Sequence, residues 1–197
     1  KYFVDGSPVV SEACSGTCGS VNDWKTVLVG GLNAGGQGIY ALNVTRPENI
    51  GSTPASDVVM WEFTDRDDPD LGYTFSKPTI RLMNNGKWAV IFGNGFNSTT
   101  SDGKTGNGRA YLYVLLLDGP GAGNKWVKDA NYFKIELKSP GEPTFATLPL
   151  SDPNRNGLGT VAAVDRDLDG STDLVYAGDL QGNLWKIDVS SADEGQW

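Results

Sequence analysis

Alternating carboxylates form the segment of this sequence with the clearest potential for chemistry. From Asp165 to Asp173 the order is Asp-Arg-Asp-Leu-Asp-Gly-Ser-Thr-Asp, which places acids at positions 1, 3, 5 and 9 of a short loop and Gly170 at position 6. Carboxylates this close repel one another unless a cation neutralises them. Calcium takes about six to eight oxygen ligands, and a glycine at the sharp turn suits such a loop. The predicted calcium ligands are the carboxylates of Asp165, Asp167, Asp169 and Asp173 and the backbone carbonyl of Ser171, with a water completing the shell.

The loop matches an EF-hand only in its first half. Position 12 is Tyr176, which cannot supply the bidentate carboxylate that an EF-hand needs. The next residues, Leu174–Ala177, are apolar and favour β structure, so we expect the loop to lead into a strand. A solvated acidic hairpin turn is the alternative, because turns favour Asp and Gly. Magnesium is the weaker candidate, since it rarely uses an all-protein cage.

The composition indicates an all-β protein with many turns and an acidic surface. The 197-residue chain has 26 glycines, 39% hydrophobic residues and a net charge of −8. This charge argues against nucleic acid and anionic membranes as partners. No apolar run approaches the roughly 18 residues of a membrane span. The chain begins with Lys1 and shows no signal peptide, so we expect a mature or internal segment.

The cysteine and histidine counts narrow the chemistry further. Cys14 and Cys18 are the two cysteines, and their spacing in a Gly-containing loop favours a small disulfide and an oxidising compartment, with two free thiols as the alternative. The chain has no histidine, which excludes Ser-His-Asp and Cys-His catalysis within it. We therefore expect a protein that is not an enzyme.

A repeated pattern of strands predicts the fold. Three apolar runs end in glycine, and each is followed by a loop and a second strand. The runs are Lys25–Gly30, Lys87–Gly93 and Asp173–Gly178, and the second strands are Gly38–Val44, Arg109–Leu115 and Asn183–Val189. The predicted inner strands are Lys77–Leu82 and Gly159–Val164, and the predicted outer strands are Val58–Phe63 and Tyr132–Leu137. Four strands in this order are typical of a β-propeller blade.

The number of strands indicates an incomplete propeller. We predict about two and a half to three four-stranded antiparallel blades, over approximately residues 21–70, 75–138 and 159–197, within one propeller domain that spans residues 1–197. The first blade is expected to lack its inner strand or to borrow one near Tyr2–Val4. The third is expected to lack its outer strand, unless the chain end at Trp197 begins it. Propellers need about four blades to close, so the chain is expected to be a segment of a larger propeller. A β-sandwich of about ten strands is the alternative.

A second acidic stretch, Asp65–Asp70, is a weaker metal candidate. It reads Asp-Arg-Asp-Asp-Pro-Asp and lacks the glycine of the first loop. A solvated acidic turn is the preferred interpretation of this stretch.

The calcium loop and its neighbours resemble the PilY/PilC family of type IV pilus tip proteins. The resemblance extends over most of Tyr2–Val189. It is carried by Thr160–Val189, Tyr2–Pro8, Trp24–Leu32, Gly35–Val44, Ser76–Thr79 and Val90–Gly95. It implies a C-terminal modified propeller with one calcium loop, whose ligands fall on the residues named above. Some family members have Asn at loop position 5, where this chain has Asp169.

The resemblance also implies a function and a location. It implies an exported protein at the pilus tip or outer surface of a Gram-negative bacterium, with roles in pilus biogenesis, adhesion and twitching motility. The implied partners are pilin and minor pilin subunits and a host or abiotic surface, and bound calcium is expected to oppose loss of pili by retraction. The alternatives are an integrin-like or lectin-like propeller stiffened by calcium and a fragment of a quinoprotein dehydrogenase.

Overall fold

A computed structural model of the chain describes residues 3–98, 106–138 and 155–197. These ranges contain three antiparallel sheets of four, four and three strands. Blade 1 consists of β1 (Val9–Cys14), β2 (Trp24–Gly31), β3 (Gly38–Asn43) and β4 (Val59–Thr64). Blade 2 consists of β5 (Thr79–Leu82), β6 (Trp88–Gly93), β7 (Ala110–Leu116) and β8 (Tyr132–Leu137). Blade 3 consists of β9 (Leu158–Val164), β10 (Leu174–Asp179) and β11 (Leu184–Asp188).

The sheets confirm the predicted partial propeller. Within each sheet the strands pair with their neighbours in sequence order, as in an up-and-down blade. Blade 3 lacks an outer strand among the described residues, as predicted. The prediction for blade 1 is wrong, because its inner strand is Val9–Cys14, which pairs with β2 from Val9↔Val29 to Cys14↔Trp24. Ser11 and Glu12 interrupt the apolar residues of this strand, so the sequence pattern does not indicate it.

Helical structure is minor in the described part of the chain. The one α-helix is the four-residue α1 (Ala55–Val58), which leads directly into β4, and four short 3-10 turns lie in loops. Since no helix there is both long and apolar enough, none of the described helices could cross a lipid bilayer.

Two hydrophobic cores lie between successive blades. The first joins blades 1 and 2 and includes Phe63 and Phe92, whose rings both contact the ring of Tyr113. The second joins blades 2 and 3 and includes Leu112, Val175 and others. All seven residues of β7 are buried, because blade 2 has a neighbour on each face. This double burial explains why β7 is almost continuously apolar rather than alternating.

Glycines at the end of the second strand of blades 1 and 2 permit close approach of the chain that follows. A Cβ added to Gly93 would lie 2.3 Å from the carbonyl oxygen of Gly159 in blade 3. A Cβ on Gly31 would lie 2.6 Å from the carbonyl oxygen of Thr74, just before blade 2. Real Cβ atoms do not approach backbone this closely, so packing requires glycine at Gly31 and Gly93, of which only Gly93 belongs to the predicted repeat of Gly30, Gly93 and Gly178. The equivalent Gly178 of blade 3 has its nearest such neighbour at 3.9 Å, in its own turn.

A buried ionic cluster fixes the connection between blades 1 and 2. Lys134 of β8 lies 2.9 Å from Asp68 Oδ1 and 2.7 Å from Asp70 Oδ2, and all three side chains are largely buried. The Tyr132 hydroxyl donates a hydrogen bond of 2.9 Å to Asp68 Oδ2. Asp65, Asp68 and Asp70 are each less than a tenth exposed, so the prediction of a solvated acidic turn at 65–70 is wrong. A cation from blade 2, which is distant in sequence, neutralises two of these acids.

Unfolding is expected to become easier above about pH 10. Burial alone would lower the pKa of Lys134, but the hydrogen bonds and charges of Asp70 and Asp68 outweigh it and raise that pKa. Burial raises the pKa of Tyr111 to about 12, and burial and the Asp68 charge raise the pKa of Tyr132 as well. The unfolded chain releases these protons near pH 10 while the folded chain retains them. Stability is therefore fully present below that pH and is lost as pH rises through the folded pKa values. Urea unfolding at a series of pH values checks this expectation, and a midpoint unchanged up to about pH 12 would contradict it.

The predicted disulfide is confirmed and closes a loop that contacts blade 2. Cys14 and Cys18 are bonded at 2.05 Å. Inside this loop, the Ser15 hydroxyl and the Gly16 amide both donate hydrogen bonds of 2.8 Å to Asp118 Oδ1, just after β7. The bridge thus holds the end of β1 in the shape that contacts the neighbouring blade.

Candidate metal centre

The acidic loop connects β9 to β10 of blade 3. It leads into a strand, as predicted, because Leu174 begins β10 and pairs with Val164 at the end of β9. Leu168 and Gly170 at its tip have φ angles of 67° and 97°. Glycine adopts this left-handed conformation without penalty. Leu168 has a Cβ and adopts it at a cost, and its side chain is 86% exposed.

Backbone amides hold the loop in a tight curl around its first and last acids. Asp165 accepts hydrogen bonds from the Leu168 amide at 2.6 Å and from the Gly170 amide at 2.8 Å. Asp173, which is 4% exposed, accepts a bond of 2.7 Å from the Arg166 amide through Oδ2. A carboxylate oxygen has a second lone pair. Each acid can therefore keep these bonds and still ligate a cation.

Three of the predicted ligands come together in the structure. One carboxylate oxygen each of Asp165, Asp167 and Asp173 lies within 4.8 Å of the other two. Calcium–oxygen distances are about 2.3–2.6 Å, so oxygens on opposite sides of one ion are up to about 5 Å apart. The spacing therefore fits a single calcium ion. It is the one group of three potential metal-ligating side chains within the ranges that the structure describes.

The other two predicted ligands are placed differently. Asp169 is not in the three-carboxylate group, and its Oδ1 accepts a hydrogen bond of 2.7 Å from the Ser171 amide. This bond closes a local turn beside the group. Direct ligation by Asp169 and by the Ser171 carbonyl stays a prediction.

Residues outside the loop support it, and the sequence alone does not indicate them. The Thr172 amide donates a hydrogen bond of 2.9 Å to the Leu82 carbonyl at the end of β5. Asn84, in the β5–β6 turn of blade 2, donates from Nδ2 to the Thr172 carbonyl at 2.8 Å. The local sequence Asn-Asn-Gly at 84–86 indicates only a turn. Nothing in it indicates a contact with residues that lie 88 positions further along the chain.

A comparison with protein families identifies one matching model. The PilY1 β-propeller domain model matches residues 1–196 of this chain.

Curated relatives and a solved structure agree with that match. The chain is 41% identical over 199 residues to a type IV pilus biogenesis factor PilY1 homolog of Xylella fastidiosa. It is 39% identical over 197 residues to the type IV pilus biogenesis factor PilY1 of Pseudomonas aeruginosa. These alignments include the whole of this chain but only 12% and 14% of the two relatives. The crystal structure of the P. aeruginosa PilY1 C-terminal domain superposes on 94% of this chain and 30% of that chain, with a TM-score of 0.68 and 36% identity.

Proposed function

Because this chain belongs to the PilY1 β-propeller domain family, we propose that it is a calcium-binding propeller segment of a type IV pilus biogenesis factor. The observation that carries the calcium assignment is the convergence of Asp165, Asp167 and Asp173 within 4.8 Å on one glycine-containing loop. Calcium is preferred over magnesium because the donors are several protein oxygens on one loop, whereas magnesium keeps several waters and binds few carboxylates.

The family assignment gives this proposal its biological setting. The P. aeruginosa relative is named a type IV pilus biogenesis factor, and we carry that role to this chain. The protein would act in an exported, pilus-associated location, with pilin and minor pilin subunits as partners and a host or abiotic surface as an adhesion target. The Cys14–Cys18 disulfide supports an oxidising compartment. The role is structural and adhesive rather than enzymatic.

The chemistry of the loop suggests how calcium would act. When bound, the ion supplies positive charge that neutralises the acids and joins β9 to β10 through its ligands. Without it, repulsion between Asp165, Asp167 and Asp173 loosens the turn. The loop also contacts blade 2 through Thr172, so loosening extends to the boundary between blades. A propeller surface altered in this way would bind its pilus partners differently, and calcium would thereby modulate pilus extension and retraction.

A chromosomal Asp173→Ala substitution tests the biological part of the proposal. In the bacterium that encodes this chain, we expect fewer surface pili and smaller twitching zones, because the loop loses its buried ligand. Asp57→Asn, an acid on the short helix before β4 in blade 1, is the matched control and should behave as wild type. Wild-type piliation and motility of the Asp173→Ala strain, with the protein present at normal levels, would contradict a role for this loop in the pilus.

A further inference from the structure

The calcium loop is held from outside by the β5–β6 turn of blade 2. Met83 of this turn forms a parallel bridge with Thr172, and the Thr172 amide donates to the Leu82 carbonyl. Both Met83 and Thr172 are almost fully buried, so this contact lies inside the boundary between blades 2 and 3. We call the pairing of residues 82–84 with residues 172–173 the loop seam. The loop seam places the β5–β6 turn of blade 2 beside Asp173, the last predicted ligand of the loop in blade 3.

Asn84 is the residue of the turn that faces the ligand. Its Nδ2 donates to the Thr172 carbonyl at 2.8 Å and lies 3.5 Å from Asp173 Oδ1. The other oxygen of Asp173 accepts from the Arg166 amide inside the loop. The buried carboxylate is thus oriented from two sides, by its own loop through Oδ2 and by blade 2 through Oδ1. Amide donors in this outer position orient metal ligands and strengthen binding.

We propose that Asn84 is a positioning residue for the Asp173 ligand and that it couples ion binding to the loop seam. This inference rests on the proposed calcium site. Asn84 fixes Thr172 and faces Asp173, so it orders the ligand before the ion arrives. Linkage makes the effect reciprocal, because a contact that favours the ion-binding conformation is itself favoured by the ion. Calcium therefore stabilises the contact between blades 2 and 3 as well as the β9–β10 hairpin that binds the ion.

The neighbouring Asn85 provides a matched control. Its Nδ2 donates to Glu194 Oε1 at 2.8 Å, in the C-terminal 3-10 turn, and not to the loop. Asn85 therefore shares the turn, the side-chain type and the boundary between blades with Asn84. It differs in having no hydrogen bond to Thr172 or Asp173 among the contacts of the described residues.

Calorimetric titration of calcium chloride into the intact protein tests the inference. We expect Asn84→Ala to weaken calcium binding by about 10–100-fold, which is typical for the loss of an outer-shell partner. Asn85→Ala is expected to bind like wild type. Asn84→Ser is tested beside Asn84→Ala, and circular dichroism shows which variant is folded. Equal affinities of wild type and a folded Asn84 variant would overturn the inference, as would equal weakening by the Asn84 and Asn85 variants.

Hydrogen exchange provides a second readout that a general loss of stability would not reproduce. Calcium should slow exchange of the Thr172 amide in wild type and in Asn85→Ala, and should slow it much less in Asn84→Ala. Calcium that leaves the Thr172 amide unchanged in wild type would overturn the coupling. Calcium binding by wild type and by the Asn84 variants separates the failure of this inference from the failure of the proposed calcium site. If the wild-type protein binds no calcium, the proposed calcium site is wrong. If wild type binds calcium and the Asn84 substitution leaves the affinity unchanged, only this inference is wrong.

Discussion

Replacement of Lys134 by methionine is expected to lower the free energy of unfolding by about 3–5 kcal/mol. Lys134 neutralises Asp68 and Asp70 at 2.9 and 2.7 Å, and the two carboxylates are 3% and 10% exposed. Methionine retains much of the apolar stem but leaves both charges buried without their cation. Removal of one partner from a buried ion pair costs far more than the pair itself contributes.

Chemical unfolding of Lys134→Met and Lys128→Met measures this effect against a surface control. Lys128 pairs with Asp129 at 3.9 Å, and both side chains are about half exposed or more. Exposed pairs contribute about 0–1 kcal/mol, so Lys128→Met should change stability very little. A Lys134→Met loss no larger than that of the control would show that the ionic cluster does not fix the blade 1–blade 2 connection.

Substitution of Asp167 by asparagine is expected to change calcium-loaded and calcium-free protein in opposite directions. Asp167 is an exposed member of the three-carboxylate group, and its side chain accepts one long hydrogen bond of 3.3 Å from the Asp169 amide. Little of the fold depends on it. Loss of its charge should weaken calcium binding, since the charge of the ligands tunes calcium affinity, although asparagine keeps an oxygen at this loop position. The same loss relieves repulsion with Asp165 and Asp173, so the calcium-free variant should be slightly more stable than wild type.

Thermal unfolding with calcium or with excess chelator measures both effects. Free calcium at about 100 times its dissociation constant should stabilise wild type by about 2.7 kcal/mol. Asp167→Asn should show a smaller stabilisation at the same calcium concentration, because its dissociation constant is larger. The Asp57→Asn variant should retain the full calcium response. Full stabilisation of Asp167→Asn by calcium would show that Asp167 is not a calcium ligand.

The strands and the position of the acidic loop could be predicted because their signals are local. Runs such as Lys87–Gly93 combine apolar, β-favouring residues with a terminal glycine. The loop from Asp165 to Asp173 contains its own acids, its turn glycine and the start of the next strand. Such features need no knowledge of distant contacts. The exception is β1, whose polar residues and position before the disulfide loop gave it no repeat partner in the pattern.

Long-range polar contacts could not be predicted, because their partners lie far apart in sequence. The sequence around Asp68 and Asp70 indicates a solvated turn, whereas the fold places Lys134 beside both carboxylates. Asn94 is a further example. Its side chain accepts from the Tyr111 and Leu158 amides and donates to the Asp70 and Arg109 carbonyls, which joins blades 2 and 3 to the connection before β5. Asparagine after a strand glycine indicates only a turn when read alone.

Calorimetric titration of calcium into metal-free wild-type protein tests the proposed calcium site. We expect saturable binding of one calcium ion per chain, weakened in Asp167→Asn, with a much weaker response to magnesium. Absence of calcium binding by the folded wild-type protein, or undiminished binding by the folded Asp167→Asn variant, would contradict it.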